Sequence, residues 1–99
     1  MAVVEVSITP LGTATPSVSA FVAGCIKLVK ASGLHYQLTP MGTVIEGDLD
    51  SILRVVRQMH EAPFKAGAVR VSTQVKIDDR RDRAEHTMAD KLRAVEEKL

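Results

Sequence analysis

The chain of 99 residues carries 45% hydrophobic side chains and a formal net charge of +1. That length supports one hydrophobic core and a single domain over residues 1–99, and the near-neutral charge excludes a strong electrostatic pull toward nucleic acid. No apolar run is long enough to span a membrane, no basic start with an apolar centre marks a signal peptide, and the lone Cys25 excludes an internal disulfide, so a cytoplasmic location is expected.

The first strand is expected over Ala2 to Thr9, with Val4, Val6 and Ile8 on one face and Glu5, Ser7 and Thr9 on the other. Pro10 to Thr13 reads as its exit loop. Thr15 followed by Pro16 suggests an N-cap and a first helical position, and Val18, Phe21, Val22, Cys25, Ile26 and Val29 then recur at helical spacing. Gly33 ends that helix. Leu34, Tyr36 and Leu38 alternate with His35, Gln37 and Thr39, and Thr43 to Glu46 resumes an extended run, so residues 34–48 read as a hairpin. Its turn holds Pro40, which fixes one backbone angle, and Gly42, which can take a positive φ.

Asp48 or Asp50 can cap a second helix whose apolar stripe is Ile52, Val55, Val56 and Met59, with Pro63 near its end. Ala68 to about Asp78 alternates again and predicts the last strand, followed by a charged loop over Asp79 to Glu85. Thr87 and Asp90 resemble a capping box at the head of a third helix, along which Met88, Leu92, Val95 and Leu99 form a narrow stripe. The order of elements predicts a ferredoxin-like βαββαβ sandwich of the α+β class: a four-stranded antiparallel sheet, both main helices on one face, and an additional C-terminal helix.

The opposite sheet face is then polar. It carries Glu5, Ser7 and Thr9, then Arg70, Ser72, Gln74 and Lys76, with His35, Gln37 and Thr39 from the hairpin and Glu46 beside them. A solvated face is one reading. Its small hydroxyls and amides favour the other, a face that packs on a second copy and leaves a pocket lined by hydrogen-bonding groups.

Other chemistries find little support. His35, His60, His86 and Cys25 fall in four different elements without metal-ligand spacing, so no metal site is expected. Cys25 belongs to a core stripe and reads as a small hydrophobe. Acylphosphatases share the topology but use an asparagine, and the chain has none. RNA-recognition domains stack bases on strand aromatics, which the first and last strands lack, so no nucleic-acid partner is expected. The alternating charges of Lys76 to Arg83 favour internal ion pairs over phosphate binding.

Three stretches in order, Glu5 to Thr13, Tyr36 to Glu46 with Pro-Met-Gly-Thr inside it, and Arg70 to Arg81, resemble the YkoF-like thiamine-binding family over nearly the whole chain. The resemblance implies a ferredoxin-like fold, assembly into homodimers or homotetramers, binding of thiamine or its hydroxymethylpyrimidine moiety, no cofactor beyond that ligand and no catalytic activity. An aminopyrimidine offers donors and acceptors, and a thiazolium is cationic, so a carboxylate, hydroxyls and an amide suit the ligand. Ser7, Thr9, Gln37, Thr43 and Glu46 are the polar ligand-binding residues this implies, with Tyr36 and Met41 supplying apolar contact. A ligand-sensing regulatory module of the same topology is the alternative.

Overall fold

The computed structural model describes residues 1–14, 18–82 and 87–99. Strands β1 (Ala2–Leu11), β2 (His35–Thr39), β3 (Gly42–Gly47) and β4 (Arg70–Asp79) alternate with helices α1 (Ser19–Ser32) and α2 (Leu49–Lys65), and α3 (Met88–Glu96) follows. The sheet order is β2-β3-β1-β4 with every neighbouring pair antiparallel, the expected ferredoxin-like arrangement.

The register follows from alternation. Val4 lies between Ile45 on β3 and Ile77 on β4, and Val6 lies between Thr43 and Val75. This row faces α1 and α2. Val4, Val6 and Ile45 are buried there with Cys25 and Val29 of α1 and Ile52, Val55, Val56 and Met59 of α2. Each large aliphatic side chain fully buried in this way contributes about 1.5–3 kcal/mol of transfer free energy. β4 is an edge strand that α2 only partly covers, so Val75 and Ile77 stay 41% and 47% exposed although they sit on the helix-facing side.

Local chemistry sets the element ends. Gly33 closes α1 in the left-handed region at φ 75°, where a Cβ would be strained. Asp48 caps α2 by accepting a hydrogen bond from the Ser51 amide. Thr87 and Asp90 form the reciprocal capping box at the start of α3. The Thr15–Pro16 cap of α1 lies outside the described residues; α1 begins at Ser19, with Val18 before it making no side-chain cap bond.

Several expectations need correction. β1 does not end at Thr9 but runs through Pro10 to Leu11, because β4 continues to pair with it as far as Leu11 opposite Arg70. Pro63 lies inside α2, which continues to Lys65. Gly42 does not adopt a positive φ; its constraint is space, because a Cβ there would stand 2.8 Å from the Val6 carbonyl oxygen. The hairpin turn is instead held by Thr39, whose Oγ1 accepts from the Met41 and Gly42 amides and donates to the Gly42 carbonyl. The polar sheet face is not fully open either. The head of α3 docks on it, with Met88 buried, while Leu92 and Val95 remain 55% and 60% exposed.

Candidate functional site

β1 pairs with β3 only from Ala2 to Val6, but with β4 from Ala2 to Leu11. Beyond Gly42 the sheet therefore has a notch, bounded by the side of β1 that pairs with no strand among the described residues and by the tip of the β2–β3 hairpin. Pro10 sits in this stretch, where its missing N–H removes no ladder bond to β3. On the helical side of the notch lies a cavity of about 230 Å³, walled by Val22 and Cys25 of α1, Met59 of α2, and the hairpin tip.

Thr43 is the polar anchor of this cavity. Its side chain takes the helix-facing position opposite Val6 and Leu38, and the residue is only 4% exposed. Among the described residues no group hydrogen-bonds its hydroxyl, which is left open to the cavity. The hydroxyl is not sealed from solvent, so a group seated in the cavity can donate to it or accept from it. Ser7, Thr9 and Thr39 also border the cavity, and Met41 stands at its mouth, 81% exposed. The described lining contains no charged side chain. Cys25 contributes its thiol, which contacts the Met59 carbonyl at 3.4 Å; burial pushes its pKa up, so it stays a neutral thiol.

Four of the seven residues expected to bind ligand, Ser7, Thr9, Met41 and Thr43, thus meet at one cavity. The other three lie elsewhere. Tyr36 is opposite Ile45 and packs half-buried against the core. Gln37 is exposed on the polar face opposite Val44. Glu46, also on that face, is opposite Val3 and His35, accepts a hydrogen bond from the Met88 amide at 2.7 Å, and stands 3.7 Å from His35 Nε2. Thr43 and Glu46 are three residues apart in one strand and so project to opposite faces, which the two-residue period dictates.

Sequence reasoning missed Thr39, Cys25 and Met59 as wall residues. Thr39 had a local signal, a hydroxyl directly before the Pro-Met-Gly turn; Cys25 and Met59 read only as core, since a cavity leaves no mark in helical spacing. His60 has a structural role. Its Nδ1 pairs with Thr73 Oγ1 at 2.6 Å and its ring meets Phe64 edge to face, joining α2 to β4. The charged run forms the expected local ion pairs, Arg80 with Asp82 and Arg81 with Asp79. The hydrogen bond from Arg81, aided by its charge, holds the Asp79 carboxyl below its usual range. Among the described residues no cluster of histidine, cysteine and carboxylates could hold a metal ion, and no helix is long and apolar enough to cross a membrane.

A family model described as thiamine-binding protein matches residues 4–96. The chain is 48% identical over 103 aligned residues to the UPF0045 protein YqgV of Bacillus subtilis, covering 100% of this chain and 98% of that one. It is 41% identical over 100 residues to a UPF0045 protein of Methanothermobacter thermautotrophicus, covering 100% of both. Among solved structures, protein MJ1052 of Methanocaldococcus jannaschii superposes with a TM-score of 0.86 at 42% identity, over 97% of this chain and 96% of that one. A Thermotoga maritima protein provisionally assigned to thiamine biosynthesis or salvage shares the fold, with a TM-score of 0.78 at 19% identity over 95% of this chain and 97% of that one.

Proposed function

Because the chain belongs to the thiamine-binding protein family, we propose that it is a non-catalytic binding protein for thiamine or its hydroxymethylpyrimidine moiety. The observation that carries this reading is the Thr43 hydroxyl, on a residue only 4% exposed, facing a small cavity whose described lining is uncharged. About 230 Å³ is below the usual range for drug-sized ligands, roughly 300–1,000 Å³, and suits one substituted ring. A pyrimidine ring offers flat apolar faces to Val22 and Met59 and edge nitrogens to Thr43 and the neighbouring hydroxyls. The described lining includes no histidine, carboxylate or amine able to exchange protons near neutral pH, which favours binding over catalysis.

The same reading includes self-association in the cytoplasm. The edge strand β4, whose own Val75 and Ile77 are partly exposed, favours pairing with a second copy. Isothermal titration calorimetry with thiamine and hydroxymethylpyrimidine tests the ligand. Thr43→Val keeps shape and removes the hydroxyl. Loss of one neutral hydrogen bond, about 0.5–1.5 kcal/mol, predicts roughly two- to tenfold weaker binding of both compounds. Equal affinity of parent and variant would remove Thr43 from the site, and no binding by the parent would refute the function.

A further inference from the structure

A second hollow, about 350 Å³, lies on the polar face directly across the notch and shares Ser7 and Met41 with the cavity. The two hollows therefore meet at the hairpin tip, where the sheet is interrupted between β1 and β3. Their chemistry differs sharply. The cavity has an uncharged described lining, whereas the polar-face hollow is lined by Glu5 and Lys76 with Gln74 between Ser7 and Lys76. Glu5 and Lys76 are direct cross-strand partners, yet among the described residues neither forms an ion pair. An opposite-charge pair in register gains by closing up. Here both charges remain available to a third group.

We infer that the two hollows form one bipartite site, the cavity taking a neutral heterocycle and the Glu5–Lys76 hollow taking a charged tail attached to it. The inference rests on the ligand reading above and extends it to residues outside the cavity. The spacing fits a tethered ligand: Glu5 lies two residues beyond Ser7 on the same face of β1, about 6.8 Å along the strand. A ring seated beside Thr43 can pass its substituent by Ser7 and Met41 toward that carboxylate. Side by side across the two strands, Glu5 and Lys76 suit a tail that carries both a cation and an anion, the cation toward Glu5 and the anion toward Lys76. Thiamine supplies the first charge and thiamine monophosphate both. Met41, highly exposed and lining both hollows, is the flexible apolar hinge between them.

Calorimetric titration of the full chain with hydroxymethylpyrimidine, thiamine and thiamine monophosphate, in the parent, Glu5→Gln and Lys76→Gln, tests this. Glu5→Gln is expected to weaken thiamine roughly three- to fivefold and to leave hydroxymethylpyrimidine unchanged. Lys76→Gln is expected to weaken thiamine monophosphate by a similar factor, with the difference shrinking at high salt, and to leave hydroxymethylpyrimidine unchanged. If the parent binds the compounds and neither substitution alters any affinity, the tail subsite is refuted while the cavity reading stands. Equal losses for the bare pyrimidine and the tailed ligands also refute it, because the charges would then act on the ring or the fold. No binding of any compound by the parent refutes both.

Discussion

Glu46 Oε2 accepts a 2.7 Å hydrogen bond from the backbone amide of Met88, so a carboxylate on β3 joins the N-terminus of α3. A helix start presents unsatisfied amides and the positive end of the helix dipole, and a carboxylate there is favourable on both counts. With buried Met88 and the Lys91–Asp78 ion pair, this bond docks α3 on the polar sheet face. Replacing Glu46 by Gln retains an acceptor but removes the charge. A loss of about 1–2 kcal/mol in urea unfolding is expected, with faster amide hydrogen exchange concentrated in α3. Thiamine affinity should change little, since the carboxylate lies across the sheet from Thr43; a tenfold loss of affinity without altered exchange would place Glu46 at the ligand instead.

Gly42→Ala introduces a Cβ that would approach the Val6 carbonyl oxygen to 2.8 Å. Backbone on both sides must then shift at the point where the β1–β3 ladder ends. A destabilisation of about 1–3 kcal/mol is expected, together with weaker ligand binding because Thr43 is the next residue. Denaturant midpoints and a crystal structure of the variant check both. Gly12→Ala, whose added Cβ would meet no neighbour within 4 Å, makes a useful contrast; its cost comes from the positive φ of 74° alone.

Cys25 gives a pH dependence with a definite sign. Burial raises its pKa in the folded state, so the folded chain holds the thiol proton more tightly than the unfolded chain. That contribution is fully present below the ordinary thiol pKa and is lost as pH rises through the folded value. Stability measured by urea at increasing alkaline pH should therefore fall less steeply in Cys25→Ala than in the parent, although the variant is less stable at pH 7. Parallel pH profiles would remove the thiol from the account.

The β4 edge predicts assembly. Light scattering at micromolar concentration should give a dimer or tetramer mass. Val75→Lys, placing a charge at a partly exposed position beside the free edge, should shift the mass toward the monomer while leaving the far-ultraviolet circular dichroism unchanged. A monomeric parent would refute the proposed self-association.

The sheet order, both main helices, the Asp48 cap and the Thr87–Asp90 capping box follow from alternation and helical spacing, because these are local or period-based signals. The faces of β1 and β4 are readable for the same reason: Val4, Val6 and Ile77 share one side and Glu5 and Lys76 the other. What local pattern does not carry is where strands of unequal length stop pairing. The notch beyond Gly42 depends on β1 outrunning β3, a relation between segments distant in the chain. Cys25 and Met59 therefore look like ordinary core, and the contact of Glu46 with Met88 spans a separation no periodicity reports. Hydrogen-bonding side chains clustered around the central hairpin were visible; their division between the two sides of the sheet required applying the strand period to Thr43 and Glu46 together.

The central position of β1 has a consequence for how the chain reaches its native state. Its partners are distant in sequence: Val6 faces Thr43 on one side, and Ala2 faces Asp79 on the other. During synthesis, therefore, β1 emerges before either of its partners, and its β4 ladder cannot complete until residues near 79 have left the ribosome. Such long-range closures carry a large entropic cost before they return contacts, which slows folding relative to helical chains of the same size. The alternation of Glu5, Ser7 and Thr9 among the valines and isoleucine keeps this waiting strand from being uniformly apolar, a protection against premature pairing with another nascent chain.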